Sequence, residues 1–163
     1  EENAWMLARA RFDAETFWYR GNGSVDVVAD TQWKSVAETD RNVIVYGNAT
    51  ANAAWQELLA QCPIVVGRGQ WQVPNESPHD GSAAVWMVRP RPGSTLASVA
   101  AIGGTDVTAM RATNRPPIFS SGTGYPDLIV AAPDYLQKGA LGVILAGYFG
   151  IDWSFEKGEW ARQ

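Results

Sequence analysis

The chain is poor in the residues that most often carry out chemistry. Its 163 residues include one cysteine, Cys62, and one histidine, His79. A single cysteine excludes an internal disulfide, and one residue of each kind cannot furnish a standard zinc site. Asp and Glu are scattered without EF-hand spacing. Lys and Arg number 13 against 17 Asp and Glu, a net charge of −4. No stretch gathers the cations into a basic face, which argues against a surface that tracks nucleic-acid phosphates. The longest apolar run near the end, Leu141 to Phe149, is far short of the ~20 residues needed to cross a bilayer. No GxGxxG fingerprint, Walker loop or GxSxG nucleophile elbow occurs. The chain begins at Glu1 without a signal or transit segment, so it is expected to be cut from something longer.

What is there suits one globular domain: 46% of residues are hydrophobic and 18% charged. Eight Trp is a high count, and large aromatics either fill cores or make contact surfaces. Glu2 to Phe12 has helical spacing, and Asp13 to Arg20 continues it up to the turn Gly21-Asn22-Gly23. Ser24 to Val28 reads as a short strand. Asn42 to Tyr46 is an uninterrupted β-forming run, followed by the turn Gly47-Asn48-Ala49-Thr50 and a helix over 51–61 that Pro63 ends. Ile64 to Val66 opens the next strand, which suggests a parallel βαβ unit. Gly67 to Pro74 and Ala83 to Val88 read as a hairpin or meander around a polar loop. Arg89-Pro90-Arg91-Pro92-Gly93 reads as an irregular exposed connection.

A second unit runs from the strand Ser98 to Ile102, through Gly103-Gly104-Thr105-Asp106, into a helix over 107–113. Thr105 or Asp106 is placed to cap it. Asp127 to Ala131 is a buried strand, Pro133 to Lys138 a short helix and Gly142 to Phe149 a last strand. The expected fold is α/β: a Rossmann-like or flavodoxin-like, mostly parallel sheet with helices on both faces and an inserted antiparallel hairpin. Residues 1–23 form a helical extension, 24–150 the core and 151–163 an aromatic tail.

Ligands of such sheets bind beyond the carboxyl ends of the strands. The candidate binding residues are therefore Gly47, Asn48, Thr50 and Asn52 in one turn and Gly103, Gly104, Thr105 and Asp106 in the other. Free amides at the helix starts that follow favour an anion; Gly and Asn also serve simply to make tight turns. Ser120 or Ser121 with His79 is the only combination that resembles a nucleophile and base. It lacks the strand–turn–helix setting of an elbow, and His79 sits in the turn-like loop Ser77 to Gly81. Cys62 reads as a small buried hydrophobe. Asp152 and Glu156 have i, i+4 spacing, which a solvated face explains. Phe17, Trp18, Tyr19, Phe149, Trp153 and Trp160 make both ends aromatic. They either pack over the sheet or form a docking surface; a carbohydrate-stacking platform is the weaker third reading.

Several strings resemble the C-terminal region of large bacterial prolyl-oligopeptidase-like α/β-hydrolases. They are Asp13-Ala-Glu-Thr-Phe-Trp-Tyr-Arg-Gly-Asn-Gly-Ser24, Asn42-Val-Ile-Val-Tyr-Gly-Asn48 with Asn52 and Trp55, Val88-Arg-Pro-Arg-Pro-Gly-Ser94, Tyr125-Pro-Asp127 and Ala146-Gly-Tyr-Phe-Gly-Ile-Asp-Trp-Ser154. The resemblance covers nearly the whole chain. It implies a serine esterase or peptidase whose catalytic domain lies upstream, and secretion to the periplasm or outside. The region itself is then an accessory domain with no catalytic residue to carry over. The expected partner is that hydrolase domain, with self-association as a further possibility; no cofactor, nucleic acid or membrane is expected. The alternative function is a small-molecule module for an anion or sugar at the two Gly-rich turns. A free-standing serine hydrolase is the least supported.

Overall fold

The computed structural model describes residues 1–35, 39–116, 118–119 and 122–163, with the backbone alone at 34 and 35. Helix α1, Glu2–Gly21, ends at Asn22, whose left-handed φ of 48° lets its amide return to the Trp18 carbonyl. After a 3₁₀ turn at Asp30–Ser35, strand β1 (Val43–Tyr46) and helix α2 (Trp55–Leu58) follow. Next come β2 (Val65–Gly67), β3 (Gln70–Gln72), β4 (His79–Asp80), β5 (Ala84–Pro90) and β6 (Ser98–Gly104). Helix α3 (Val107–Ala112), β7 (Leu128–Ala131), α4 (Tyr135–Lys138), β8 (Val143–Tyr148) and β9 (Glu159–Arg162) complete the order.

The main sheet has six strands in the order β1-β6-β5-β7-β8-β9, and β2-β3-β4 form a separate three-stranded antiparallel sheet. Only β1 and β6 pair in parallel, Val43 against Val99 through Tyr46 against Ile102. Every other pairing in the sheet is antiparallel. The expected mostly parallel, Rossmann-like or flavodoxin-like sheet is therefore corrected. A parallel neighbour needs a crossover of a dozen or more residues, whereas residues 91–97 alone join β5 to β6 and residues 132–142 join β7 to β8. The anticipated unit from β1 through α2 does not close, because β2 turns at Gly69 to pair with β3. β6 and β7 do run the same way, with β5 between them.

Other local readings change too. Residues 24–28 form no strand, and the helix expected over 51–61 is regular only at Trp55–Leu58. The connection at Arg89 to Pro92 is not exposed throughout, since Arg89 and Pro90 belong to β5 and Arg91 is buried. Residues 159–162 of the expected tail are an edge strand.

Both faces of the sheet are covered. On one face, α2 (Trp55, Leu58, Leu59) and the small sheet (Val66, Trp71) pack against Val45, Val85, Met87, Val99 and Val130. Phe149 and Phe155 close that layer near β9. On the other face, Ala109 and Ala112 of α3 meet Ala84, Trp86 and Ile102, with Trp5 of α1 and Tyr46 alongside. A polar clamp adds to this contact. Arg9 Nε donates to Asp13 Oδ2 at 2.7 Å, and Arg9 Nη1 donates to the Thr113 carbonyl at 3.0 Å and to Asn114 Oδ1 at 2.8 Å. Tyr46 Oη donates to the same Asp13 oxygen at 2.9 Å. Burial, then the neighbouring Asp13 charge, push the Tyr46 hydroxyl far above its ordinary pKa, so it stays a donor.

Candidate functional site

The one parallel pair places the carboxyl ends of β1 and β6 side by side, and with them the two turns singled out from the sequence. Gly47 donates to the Ile102 carbonyl at 2.9 Å. Gly103 lies so close that a Cβ there would fall 1.8 Å from the Gly47 carbonyl oxygen. Asn48 is fully buried. Its Nδ2 donates to the Gly104 carbonyl at 2.9 Å, and its Oδ1 accepts from the amides of Thr50 and Ala51, each at 3.0 Å. Asn52 Nδ2 donates to the Tyr46 carbonyl and its Oδ1 accepts from the Ala54 amide. Thr50 Oγ1 accepts from the Arg68 amide. Thr105, also fully buried, donates to the Gly81 carbonyl and accepts from the Ala83 amide. Asp106 caps α3 by accepting from the Ala109 amide at 2.8 Å.

The eight residues thus meet in one place, but their polar groups close the turns on each other. The Asp106 carboxylate takes the position at the start of α3 that an anion would need. The recess above, about 440 Å³, is lined by Glu1, Glu2, Asn3, Arg68, Asp106 and Val107. Its one cationic side chain, Arg68, is paired with Glu2 at 2.5 Å. The charge there is negative, which repels an anionic ligand.

His79 lies half-buried in β4 rather than in an open loop. Its ring stacks on Trp71 with centroids 4.3 Å apart, and Nε2 is 2.9 Å from Glu76 Oε2. Glu76 also pairs with Arg162 of β9 at 2.6 Å. The hydrogen bond from His79 and then those of Arg162 hold the Glu76 carboxyl below its ordinary range. Ser120 and Ser121 fall outside the described residues. Cys62 is buried with its Sγ 3.6 Å from Met87 Sδ, and burial pushes its thiol up, away from the nucleophilic thiolate. Asp152 and Glu156 share no helix. Asp152 binds Lys157 Nζ at 2.5 Å and Ser154, first Lys157 and then Ser154 holding its carboxyl well below the usual range. Among the described residues no group of three or more His, Cys, Asp or Glu is arranged to hold a metal, and no helix is long and apolar enough to cross a membrane.

The aromatic residues divide. Phe149, Trp153 and Trp160 turn inward: Trp160 packs edge-on to Phe149 at 5.2 Å and stacks on Phe155 at 4.5 Å, and Trp153 tilts against Phe149 at 6.2 Å. Phe17 packs on Phe119 at 5.4 Å. Trp18 and Tyr19 stay in solvent, 62% and 89% exposed. Leu7 is exposed on the same side of α1 as Trp18, and Phe12 is exposed beside Tyr19, about 100° further round the helix. At about 100° per residue, the inner side takes Trp5, Arg9 and Asp13 instead.

Two features were not anticipated from the sequence. One is the Arg9–Asp13–Tyr46 clamp, whose only signal was an i, i+4 spacing of opposite charges that normally marks a surface pair. The other is Arg89 with Arg91, two residues apart at the end of a strand and therefore on one side of it. Comparison of the chain with protein-family models, with curated proteins and with solved structures gave no match.

Proposed function

We propose that the chain is a non-catalytic accessory domain of a larger bacterial serine hydrolase, an esterase or peptidase, and that it docks on the catalytic domain through the outer side of α1. One observation carries this reading: α1 leaves four large apolar side chains in solvent. Its inner stripe holds the buried Arg9–Asp13 pair, while Leu7, Phe12, Trp18 and Tyr19 face out. Exposed apolar surface of this kind marks an interaction site, and Trp and Tyr are the side chains that most often anchor one. Phe149, Trp153 and Trp160 are engaged within the fold, so the N-terminal helix is the docking surface proposed.

The partner comes from the resemblance: the α/β-hydrolase domain upstream in the proteins whose C-terminal strings this chain shares. Periplasmic or secreted location follows from the same source. The state of the groups that could react fits a supporting role. His79 is engaged by Trp71 and Glu76, Cys62 is buried as a thiol, and the residues of the two Gly-rich turns hold one another.

The test combines a fluorophosphonate probe with intact-mass analysis. The 163-residue chain is expected to gain no adduct, and a form extended upstream is expected to gain one. The hydrolase domain made separately should bind the chain, and Trp18→Ser with Tyr19→Ser should weaken that binding at least tenfold, roughly 1.4 kcal/mol or more. Labelling of a serine within the chain itself, or binding indifferent to the double substitution, would overturn the proposal.

A further inference from the structure

β5 ends in Arg89-Pro90, and strand alternation sends Arg89 to the sheet face that carries α2, away from α1. There its guanidinium lies 4.6 Å from the Phe149 ring centroid and 6.0 Å from that of Trp153. Nη1 is buried and has no hydrogen-bond partner among the described residues. Among the described residues, Arg89 meets aromatic faces and no carboxylate. Aromatic faces return part of the cost of half-burying a cation, and a buried donor left unpaired is costly. A buried donor left unpaired in a native fold calls for a partner from outside the chain, a water, an ion or a ligand.

A cavity of about 250 Å³ opens beside this group. Leu58, Leu59, Cys62, Pro90 and Trp153 line its apolar part, and Gln61, Arg91 and Asp152 its polar part. The indole is set in place by backbone that a Trp rarely adopts. Trp153 has φ 61°, fixed by its amide bonding to the Gly150 carbonyl at 2.7 Å. Strained backbone of this sort gathers at ligand sites. Asp152, at the rim, is bound by Lys157 and Ser154 and does not serve Arg89.

We propose that this cavity is a binding site for a carboxylate on a short apolar stem. Arg89 is its cation, and Trp153 with the α2 end forms the walls around the stem. The guanidinium lies over the Phe149 ring with Trp153 on the same side, and a guanidinium matches a planar carboxylate in two parallel hydrogen bonds. The volume falls below the roughly 300–1,000 Å³ of sites for larger ligands, so it suits an acid of a few carbons or one acidic side chain. The Asp152 charge at the rim disfavours a phosphate dianion. This site lies on the opposite sheet face from the outer side of α1 and does not depend on the docking proposal.

The experiment is a thermal melt of the full chain in sodium butyrate, with sodium chloride and sodium phosphate at equal ionic strength as references. At about 100 times its Kd, butyrate is expected to raise the melting temperature by roughly 5 °C over chloride. Arg89→Met should abolish the rise without lowering the melting temperature in chloride. N-acetyl-glutamate amide in parallel identifies the source: a rise with it as well means that an acidic side chain of a protein enters, a rise with butyrate alone means a small organic acid. Fluorine NMR of 4,4,4-trifluorobutyrate on the unsubstituted chain reads the same site without any variant, as line broadening that excess butyrate reverses. Equal melts in butyrate and chloride, no broadening, or phosphate matching butyrate would each overturn the assignment.

Discussion

Gly103 has no room for a side chain, since its neighbour is a carbonyl oxygen in another strand and not a flexible group. Gly103→Ala is expected to cost about 3 kcal/mol or to prevent folding, read by urea denaturation. Asn48 is the other fixed point. Asn48→Ala strands the Thr50 amide and the Gly104 carbonyl, for an expected loss of about 2–3 kcal/mol. Asn48→Asp should be worse than its shape suggests, because an acceptor would then face the Gly104 carbonyl; the same denaturation curves rank the pair. These positions were legible in the sequence as turns that start helices. What they bind was not legible, because an Asn that accepts from the amides of its own turn looks the same, in one dimension, as an Asn that waits for a ligand. Arg89 was hidden for a related reason: alternating Arg and Pro reads as an exposed link until the strand is seen to run through it.

At the scale of elements, α1 carries opposite expectations on its two sides. Asp13→Ala leaves Arg9 buried without its partner and is expected to cost roughly 3–5 kcal/mol. Trp18→Ser and Tyr19→Ser should each shift stability by no more than about 0.5 kcal/mol, so that any loss of binding is read on a folded chain. The small sheet is tied to β9 through Glu76, which meets both His79 and Arg162. The Glu76 pKa is depressed on folding, so its contribution is present above the unfolded carboxyl range, about 4, and is lost as pH falls through the lower folded value. Hydrogen exchange at Trp71 and Gln72 should therefore quicken on acidification below about pH 4 in the parent chain, and much less so in Glu76→Gln. The strands themselves were legible, since Asn42 to Tyr46, Ala83 to Val88 and Asp127 to Ala131 are β-forming runs. Their pairing was not. An uninterrupted apolar run reports burial on both faces. Here α1 and α3 on one side, and α2 with the small sheet on the other, cover β5 although it runs antiparallel to both neighbours.

For the whole molecule, the order β1-β6-β5-β7-β8-β9 mixes near and distant partners. β5–β6 and β7–β8 join across short connections, but β1 reaches β6 across a sequence separation of 56 residues, the same span over which Asn48 reaches Gly104. Closing a loop of that length costs entropy before any contact repays it. The parallel edge is accordingly the last part of the sheet to assemble and the first to leave, and α1, clamped to β1 through Tyr46, goes with it. Rates follow from this. Substitutions in β1 and α1 should mainly speed unfolding, and substitutions at Val85 or Val130 should mainly slow refolding, in stopped-flow traces. A chain caught between those two steps would hold a five-strand antiparallel core with the open flank of β6 presented to any passing strand. The protein's hazard for misassembly thus lies at the partner of its one parallel pair.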